Sequence, residues 1–412
     1  MTSPGTPGDD SSRVRSRPRV LALTHSLSGV DGVGVYAASL LRELLPRCER
    51  IEVFLGRRHR GFGEELPSAH NLEIHAVLPM GHVPLLGLPR LAWLLLSSLP
   101  TLVRAARRAD VVHSLADYPL AFLAVLAARL AGRPVLVSGH GTYSVAPLRY
   151  AVHRRLLLWT FRHCDHFLMG AEFALRQVRR HAPPPDDPRG AEVVPYGCVP
   201  SDYDAVRAAG ESPGVPGPYV LCVGEVKQRK GYHVSLPAFL EAWRQQPDMH
   251  FAIVGRVADD SAYVADLRSQ ITAAGAGGHV HFLGNVSEAR KVALMRGAQA
   301  FMLTPVTSDE GGFEAFGLVF LEAGAAGRPV VGITDSGAES AITDGSNGFL
   351  READDRAGLA QALLTLFRDD ALADRMGAAG RARAEGQTWA AAADRVAELY
   401  AEVTASPAGD AP

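Results

Sequence analysis

Cysteine, lysine and long apolar runs are all scarce in this chain. Four cysteines (Cys48, Cys164, Cys198 and Cys222) are scattered over 412 residues with no CxxC pair. That excludes a disulfide framework and a cysteine zinc site, and suggests free thiols in a reducing, cytoplasmic compartment. Three lysines (Lys227, Lys230 and Lys291) stand against 39 arginines, a skew that with the alanine and glycine load points to a GC-rich, bacterial genome. There is no long Lys/Arg block and no interleaved aromatic stripe, which argues against nucleic acid as a partner. The apolar run Leu91 to Val103 has 13 residues, contains Pro100 and is flanked by Arg90 and Arg104, so it is too short to cross a bilayer. It reads either as a buried helix or as a surface helix, with Arg104, Arg107 and Arg108 alongside, that makes a peripheral contact with a membrane or a hydrophobic acceptor. Residues 1–17 have no apolar core and are neither a signal peptide nor an anchor; they and residues 405–412 are expected to be disordered tails.

The apolar fraction is 47% and the charged fraction 21%, as in an ordinary soluble protein. The length suggests two domains. Residues 1–205 carry 24 basic against 18 acidic side chains and the remainder 18 against 26, a mildly basic first half suited to an anionic acceptor or surface. Short strand-like runs (Arg19–Thr24, Ile51–Leu55, Val111–Ser114, Pro134–Ser138, His166–Met169, Ala191–Val194) alternate with helical ones (Val35–Pro46, Tyr118–Leu130, Ala171–His181). The alternation restarts at Tyr219–Val223 and runs through Phe251–Val254, Val280–Leu283, Ala300–Thr304 and Pro329–Gly332. This predicts an α/β protein with two doubly wound Rossmann-like domains, 18–204 and 219–388, joined by a Gly/Pro linker at 205–218 and followed by a helix at 389–404. Ligands of such sheets lie beyond the carboxyl ends of the strands, so the chemistry is expected in the interdomain cleft.

The richest stretch is Phe313 to Val331, FEAFGLVFLEAGAAGRPVV. Glu314 and Glu322 flank Phe316-Gly317-Leu318, and the apolar segment after Gly317 reads as a helix that ends at Gly327-Arg328-Pro329. The carboxylates are then about 10 Å apart, with the free amides of Gly317, Leu318 and Val319 between them. Helix-start amides suit a diphosphate, and acceptor-only carboxylates suit hydroxyl-rich groups on either side of it. The implied ligand is a nucleotide sugar.

This segment resembles the Glu-x7-Glu signature of retaining glycosyltransferases of family 4, which have the GT-B fold. The resemblance implies a metal-independent hexosyltransferase without a cofactor, whose nucleotide-sugar donor, UDP before GDP, sits on the second domain. Glu322 would hold ribose hydroxyls and Glu314 the sugar ring, with Phe316, at the helix entry, also among the donor-binding residues. The final helix would cross back to the first domain. In Val223 to Gly231 (VGEVKQRKG), Lys230 matches the family's diphosphate lysine, and Arg229 or Lys227 offers a second cation. Glu225 stands where the family has arginine. Gly32 and Gly34, in SGVDGVGVYA, would form a glycine loop near donor and acceptor; His140 in VSGHGTY would contact the donor sugar; and Asn285 and Val286, with Arg256 nearby, would cup the base. The acceptor, a cell-envelope glycan or lipid or a small natural product, would sit on the first domain.

Other readings remain at this point. An epimerase or phosphorylase has the same architecture. The GxGxxA of Gly32, Gly34 and Ala37, with Glu52 twenty residues on, resembles a weak dinucleotide fingerprint. A noncatalytic sugar-nucleotide sensor is suggested by Glu225. His113 ends another strand and is a further candidate. Asp202-Tyr203-Asp204 spells a metal-binding DxD but lies by the linker, and no metal is expected.

Overall fold

The computed structural model describes residues 17–27, 31–57, 66–79, 85–204, 211–308 and 312–405. The tails and linker expected above lie wholly or partly outside these, as do Ser28, Gly29 and Val30 of the glycine segment. Strands β1 (Arg19–Leu23), β2 (Arg50–Gly56), β3 (Leu72–Leu78), β4 (Val111–Ser114), β5 (Val135–Gly139), β6 (His166–Met169) and β7 (Ala191–Val193) form one parallel sheet in the order 3-2-1-4-5-6-7. Helices α1 (Gly32–Leu44), α2 (Leu88–Arg108), α3 (Leu120–Ala131), α4 (Thr142–Val145), α5 (Ala151–His163) and α6 (Glu172–His181) connect them. A second parallel sheet, in the order 10-9-8-11-12-13, contains β8 (Tyr219–Val223), β9 (His250–Val254), β10 (Val280–Gly284), β11 (Ala300–Met302), β12 (Val330–Ile333) and β13 (Gly348–Arg351). Its helices are α7 (Tyr232–Trp243), α8 (Ala262–Ala273), α9 (Glu288–Gly297), α10 (Leu318–Ala325), α11 (Arg356–Arg368) and α12 (Asp370–Gly386), with α13 (Trp389–Ala405) last.

Both sheets are covered on their two faces, and the central strands β5 and β9 are buried along their whole length. In each sheet the strand order reverses once, between β1 and β4 and between β8 and β11. A crevice opens at such a reversal beyond the carboxyl ends of the strands. Phe320, fully buried, meets Phe301 of β11 edge to face at 5.5 Å and sets α10 over the second reversal point. Helix α13 returns to the first sheet: Arg395 grips Glu192 with two nitrogens at 2.6 and 2.8 Å, and Tyr400 hydrogen-bonds His113 at 2.7 Å.

Two expectations need correction here. The first helix begins at Gly32, because Asp31 caps it by accepting the Gly34 N–H at 2.8 Å. An N-cap of this kind outweighs the poor helix propensity of glycine, so Gly32 and Gly34 lie in a helical turn and not in a loop. Helix α2 is 21 residues long and passes through Pro100 without ending. One face, with Leu91, Leu94 and Leu102, packs into the core, while Leu88 (56%), Trp93 (51%) and Leu96 (80%) are exposed, so the helix is buried on one side only. Among the described residues no helix is long and apolar enough to cross a membrane.

Candidate active site

Gly317 starts α10 in the left-handed region, φ 76°, with no side chain capping the amides behind it. Only glycine takes that conformation without strain; the Phe320 N–H bonds the Gly317 carbonyl at 2.9 Å, and the amides of Leu318 and Val319 are left without a partner in the helix. Glu314 Oε2 accepts from Lys230 Nζ at 2.6 Å and Arg229 Nη1 at 2.9 Å, and the same Arg229 nitrogen reaches the Phe313 carbonyl at 3.1 Å. Burial pushes this carboxyl up, but Lys230 and Arg229 outweigh it and hold the pKa at about 2. The structure therefore brings Glu314, Arg229, Lys230, Gly317, Leu318 and Val319 together at the β8–β11 reversal, while Phe316, expected among the donor-binding residues, is buried in the core against Tyr196.

One and a half turns into α10, Glu322 is nearly buried. Its Oε2 makes no hydrogen bond and lies 3.6 Å from Lys291 Nζ. Lys291, on α9, also pairs with Glu288 at 2.8 Å and sits over the Tyr203 ring. A buried carboxylate oxygen without a hydrogen bond is an under-satisfied acceptor, and Lys291 is the cation beside it. Neither Lys291 nor Tyr203 was singled out from the sequence. Val286 is half-buried and Asn285 exposed in the turn between β10 and α9. Arg256, exposed after β9, pairs with Glu225.

The first half contributes the segment after β5. Gly141 has φ 102°, and a Cβ there would lie 2.7 Å from the Ala315 Cβ, so glycine permits the two halves to close on each other. Thr142 Oγ1 bonds the Phe313 N–H at 3.2 Å. His140 is held within the first half. Its Nε2 donates to the Leu115 carbonyl at 3.0 Å, its Nδ1 lies 2.6 Å from the Tyr196 hydroxyl, and its N–H goes to Asp117. Burial lowers its pKa, so the ring is neutral. The expectation that His140 bonds the donor sugar thus meets a ring whose two nitrogens are already engaged.

Two family descriptions match in turn along the chain: "Glycosyltransferase Family 4" over residues 30–198 and "Glycosyl transferases group 1" over residues 211–383. The chain belongs to glycosyltransferase family 4. It is 35% identical over 208 residues to a phosphatidyl-myo-inositol mannosyltransferase of Mycobacterium leprae, covering 50% of this chain and 52% of that one. It spans about half the length of this and the similar mycobacterial relatives. A GDP-mannose-dependent alpha-(1-6)-phosphatidylinositol monomannoside mannosyltransferase of Mycolicibacterium smegmatis is 29% identical over 293 residues, 68% of this chain and 73% of that one. Among solved structures, Anabaena Alr3699/HepE in complex with UDP and glucose superimposes with a TM-score of 0.71 at 20% identity, covering 93% of this chain and all of that one. WaaG, a glycosyltransferase involved in lipopolysaccharide biosynthesis, gives 0.66 at 18%, covering 92% and 99%. The fold is GT-B.

Several side candidates fall away from this family 4 cleft. The dinucleotide reading needs Gly32 in the strand-to-helix turn and a free acid at the end of the second strand. Gly32 is helical, while Glu52 stands near the start of β2 and is bound by Arg108 at 3.0 Å and approached by His75 at 3.2 Å. Glu52, Glu73 and His75 are also the described group with ligand atoms close enough for a metal. They lie on β2 and β3, where Arg108 and Arg50 already pair with the two carboxylates. In the DxD, Asp204 is half exposed and pairs with Arg381 at 2.9 Å. His113 is fully buried between Tyr400 and Ser138, so it does not face the cleft. All four cysteines are free and buried.

Proposed function

We propose that this family 4 protein transfers a hexose from a nucleoside diphosphate sugar to a hydroxyl of a lipid- or glycan-linked acceptor, retaining the anomeric configuration and using no metal. The observation that carries the reading is the pairing of Glu314 with Lys230 and Arg229 beside the uncapped start of α10, with the under-satisfied Glu322 oxygen further along the same helix. A diphosphate over α10 meets amides and two cations. The ribose hydroxyls reach Glu322, and the sugar lies toward Glu314.

As the sugar–phosphate bond breaks, negative charge grows on the leaving phosphate oxygen. Lys230 and Arg229 are placed to neutralise it, together with the positive end of the helix. That oxygen then takes the proton of the acceptor hydroxyl attacking from the same face. Uridine was favoured from the sequence, and the GDP-mannose in a relative's name keeps guanosine level with it. The exposed apolar face of α2, followed by Arg104, Arg107 and Arg108, supports peripheral contact at the inner face of a membrane and an acceptor drawn from it.

A thermal-shift panel of UDP, GDP, ADP, NAD and their sugar conjugates tests the donor site. A ligand at a hundred times its Kd adds about 2.7 kcal/mol of stability. A shift with uridine or guanosine diphosphates and none with NAD is expected; a shift with NAD alone overturns the reading.

A further inference from the structure

The loop after β8 places a carboxylate beside the ground where a diphosphate would lie. Glu225 directly follows Gly224, against which the stem of Lys230 packs. Its Oε2 is 2.5 Å from Lys227 Nζ, and its Oε1 pairs with an Arg256 guanidinium nitrogen. Burial raises the Glu225 carboxyl, but Lys227 and Arg256 outweigh it and keep it ionised. The two loops are tied by main-chain bonds on either side of Glu225: Gly224 N–H to the Val254 carbonyl at 2.8 Å and Val226 N–H to the Arg256 carbonyl at 2.9 Å.

Arg256 is therefore anchored through its backbone at the end of β9, and its otherwise exposed side chain is drawn across the end of β8 by Glu225. Glu314 holds Arg229 and Lys230 in the same way. Across both clusters, four cations face two carboxylates, and the surplus matches one charge on each phosphate of a nucleoside diphosphate sugar.

We propose that Glu225 is a positioning residue that carries the Arg256 guanidinium from the end of β9 to the diphosphate, so that Arg256 supplies the cation the β8 loop lacks at this position. The inference rests on the nucleotide-sugar reading of the cleft. It makes a prediction of sign. A carboxylate that merely stood near a diphosphate would repel it, and its removal would tighten binding. A carboxylate that positions an arginine weakens binding when removed.

The test is calorimetric titration of UDP and GDP into the wild type, E225A, E225D, R256A and the double variant E225A/R256A, at low and high salt, with Tm recorded for each. E225A and R256A are each expected to weaken binding roughly tenfold, as for loss of one charge-assisted contact. The double variant should be no weaker than either single one, because the two residues act as a unit. E225D should recover most of the affinity, the deficits should shrink at high salt, and Tm should not change. Unchanged or tighter binding by E225A, or additive losses in the double variant, overturns the proposal. If the wild type binds neither nucleotide, the reading of the cleft falls and this inference with it. If Glu322→Gln weakens binding while E225A does not, the cleft reading stands and only the role of Glu225 is lost.

Discussion

Lys230 Nζ stands 2.6 Å from Glu314 Oε2, and Arg229 shares that oxygen at 2.9 Å. The carboxyl is driven up by burial and down, by more, by Lys230 and then Arg229, from 4.5 to about 2. A carboxyl depressed on folding stabilises fully above its unfolded pKa and loses that contribution as pH falls through the folded one. Its contribution at neutral pH is about 3 kcal/mol. Urea unfolding of Glu314→Gln should therefore show a deficit of this order at pH 7 that shrinks steadily between pH 4.5 and pH 2. A deficit independent of pH would show that the pairing is not its cause.

The unmet oxygen of Glu322 predicts a binding defect. If the ribose gives it two charge-assisted hydrogen bonds, Glu322→Gln should lose about 1.5 to 3 kcal/mol of donor affinity, roughly 10- to 150-fold. Calorimetric titration with whichever nucleotide shifts the wild-type Tm reads this directly. Unaltered affinity would remove Glu322 from the donor site.

How much of this cleft was legible depended on whether a contact was local. The α10 string shows itself in sequence because glycine, an apolar run and proline mark a helix start and end within twenty residues. The Lys230 loop shows because it follows a strand. Lys291 did not, since it meets Glu322 only after α9 and α10 fold against each other, and no spacing rule joins them. The partners of His140 are likewise distant, 25 and 56 residues away, so the sequence placed the ring at a strand end and missed that both its nitrogens are committed. Helix α2 stayed ambiguous for another reason. Its exposed side carries Leu88, Trp93 and Leu96 as well as Arg90, so apolar residues lie on both sides and the contrast from which to read a face is weak.

That exposed side makes its own prediction. Leu88, Trp93 and Leu96 project outward, and residues 85–109 contain four arginines and no acid. Such a face suits an anionic bilayer surface. The wild type should co-sediment with vesicles containing anionic lipid, more weakly at high salt, with Trp93 emission shifting to the blue. Leu96→Glu should lose most of the binding with little change in Tm, because the side chain is 80% exposed. Equal sedimentation of wild type and variant would rule out this face as the contact.

The last prediction concerns His113, which is fully buried with the Tyr400 hydroxyl 2.7 Å from Nδ1 and the Ser138 hydroxyl 2.8 Å from Nε2. Ser138 in turn bonds Tyr36 at 2.8 Å, so the imidazole ties α13 to α1 through the first sheet. Burial, with a smaller push from His140, lowers its pKa from 6.5 to about 3. The unfolded chain therefore binds a proton between those values that the folded one refuses. Stability rises with pH across that window, by up to about 1.4 kcal/mol per pH unit. His113→Phe takes the imidazole from the Tyr400 hydroxyl and leaves Ser138 only its bond to Tyr36, and should cost on the order of 1–3 kcal/mol at pH 7.5. It also removes the proton linkage, so the deficit should narrow as pH falls from 6.5 toward 4, and urea midpoints at four or five pH values would show it. A deficit that widened on acidification would mean that His113 is charged in the fold, and that the Tyr400 contact is a hydrogen bond from an imidazolium.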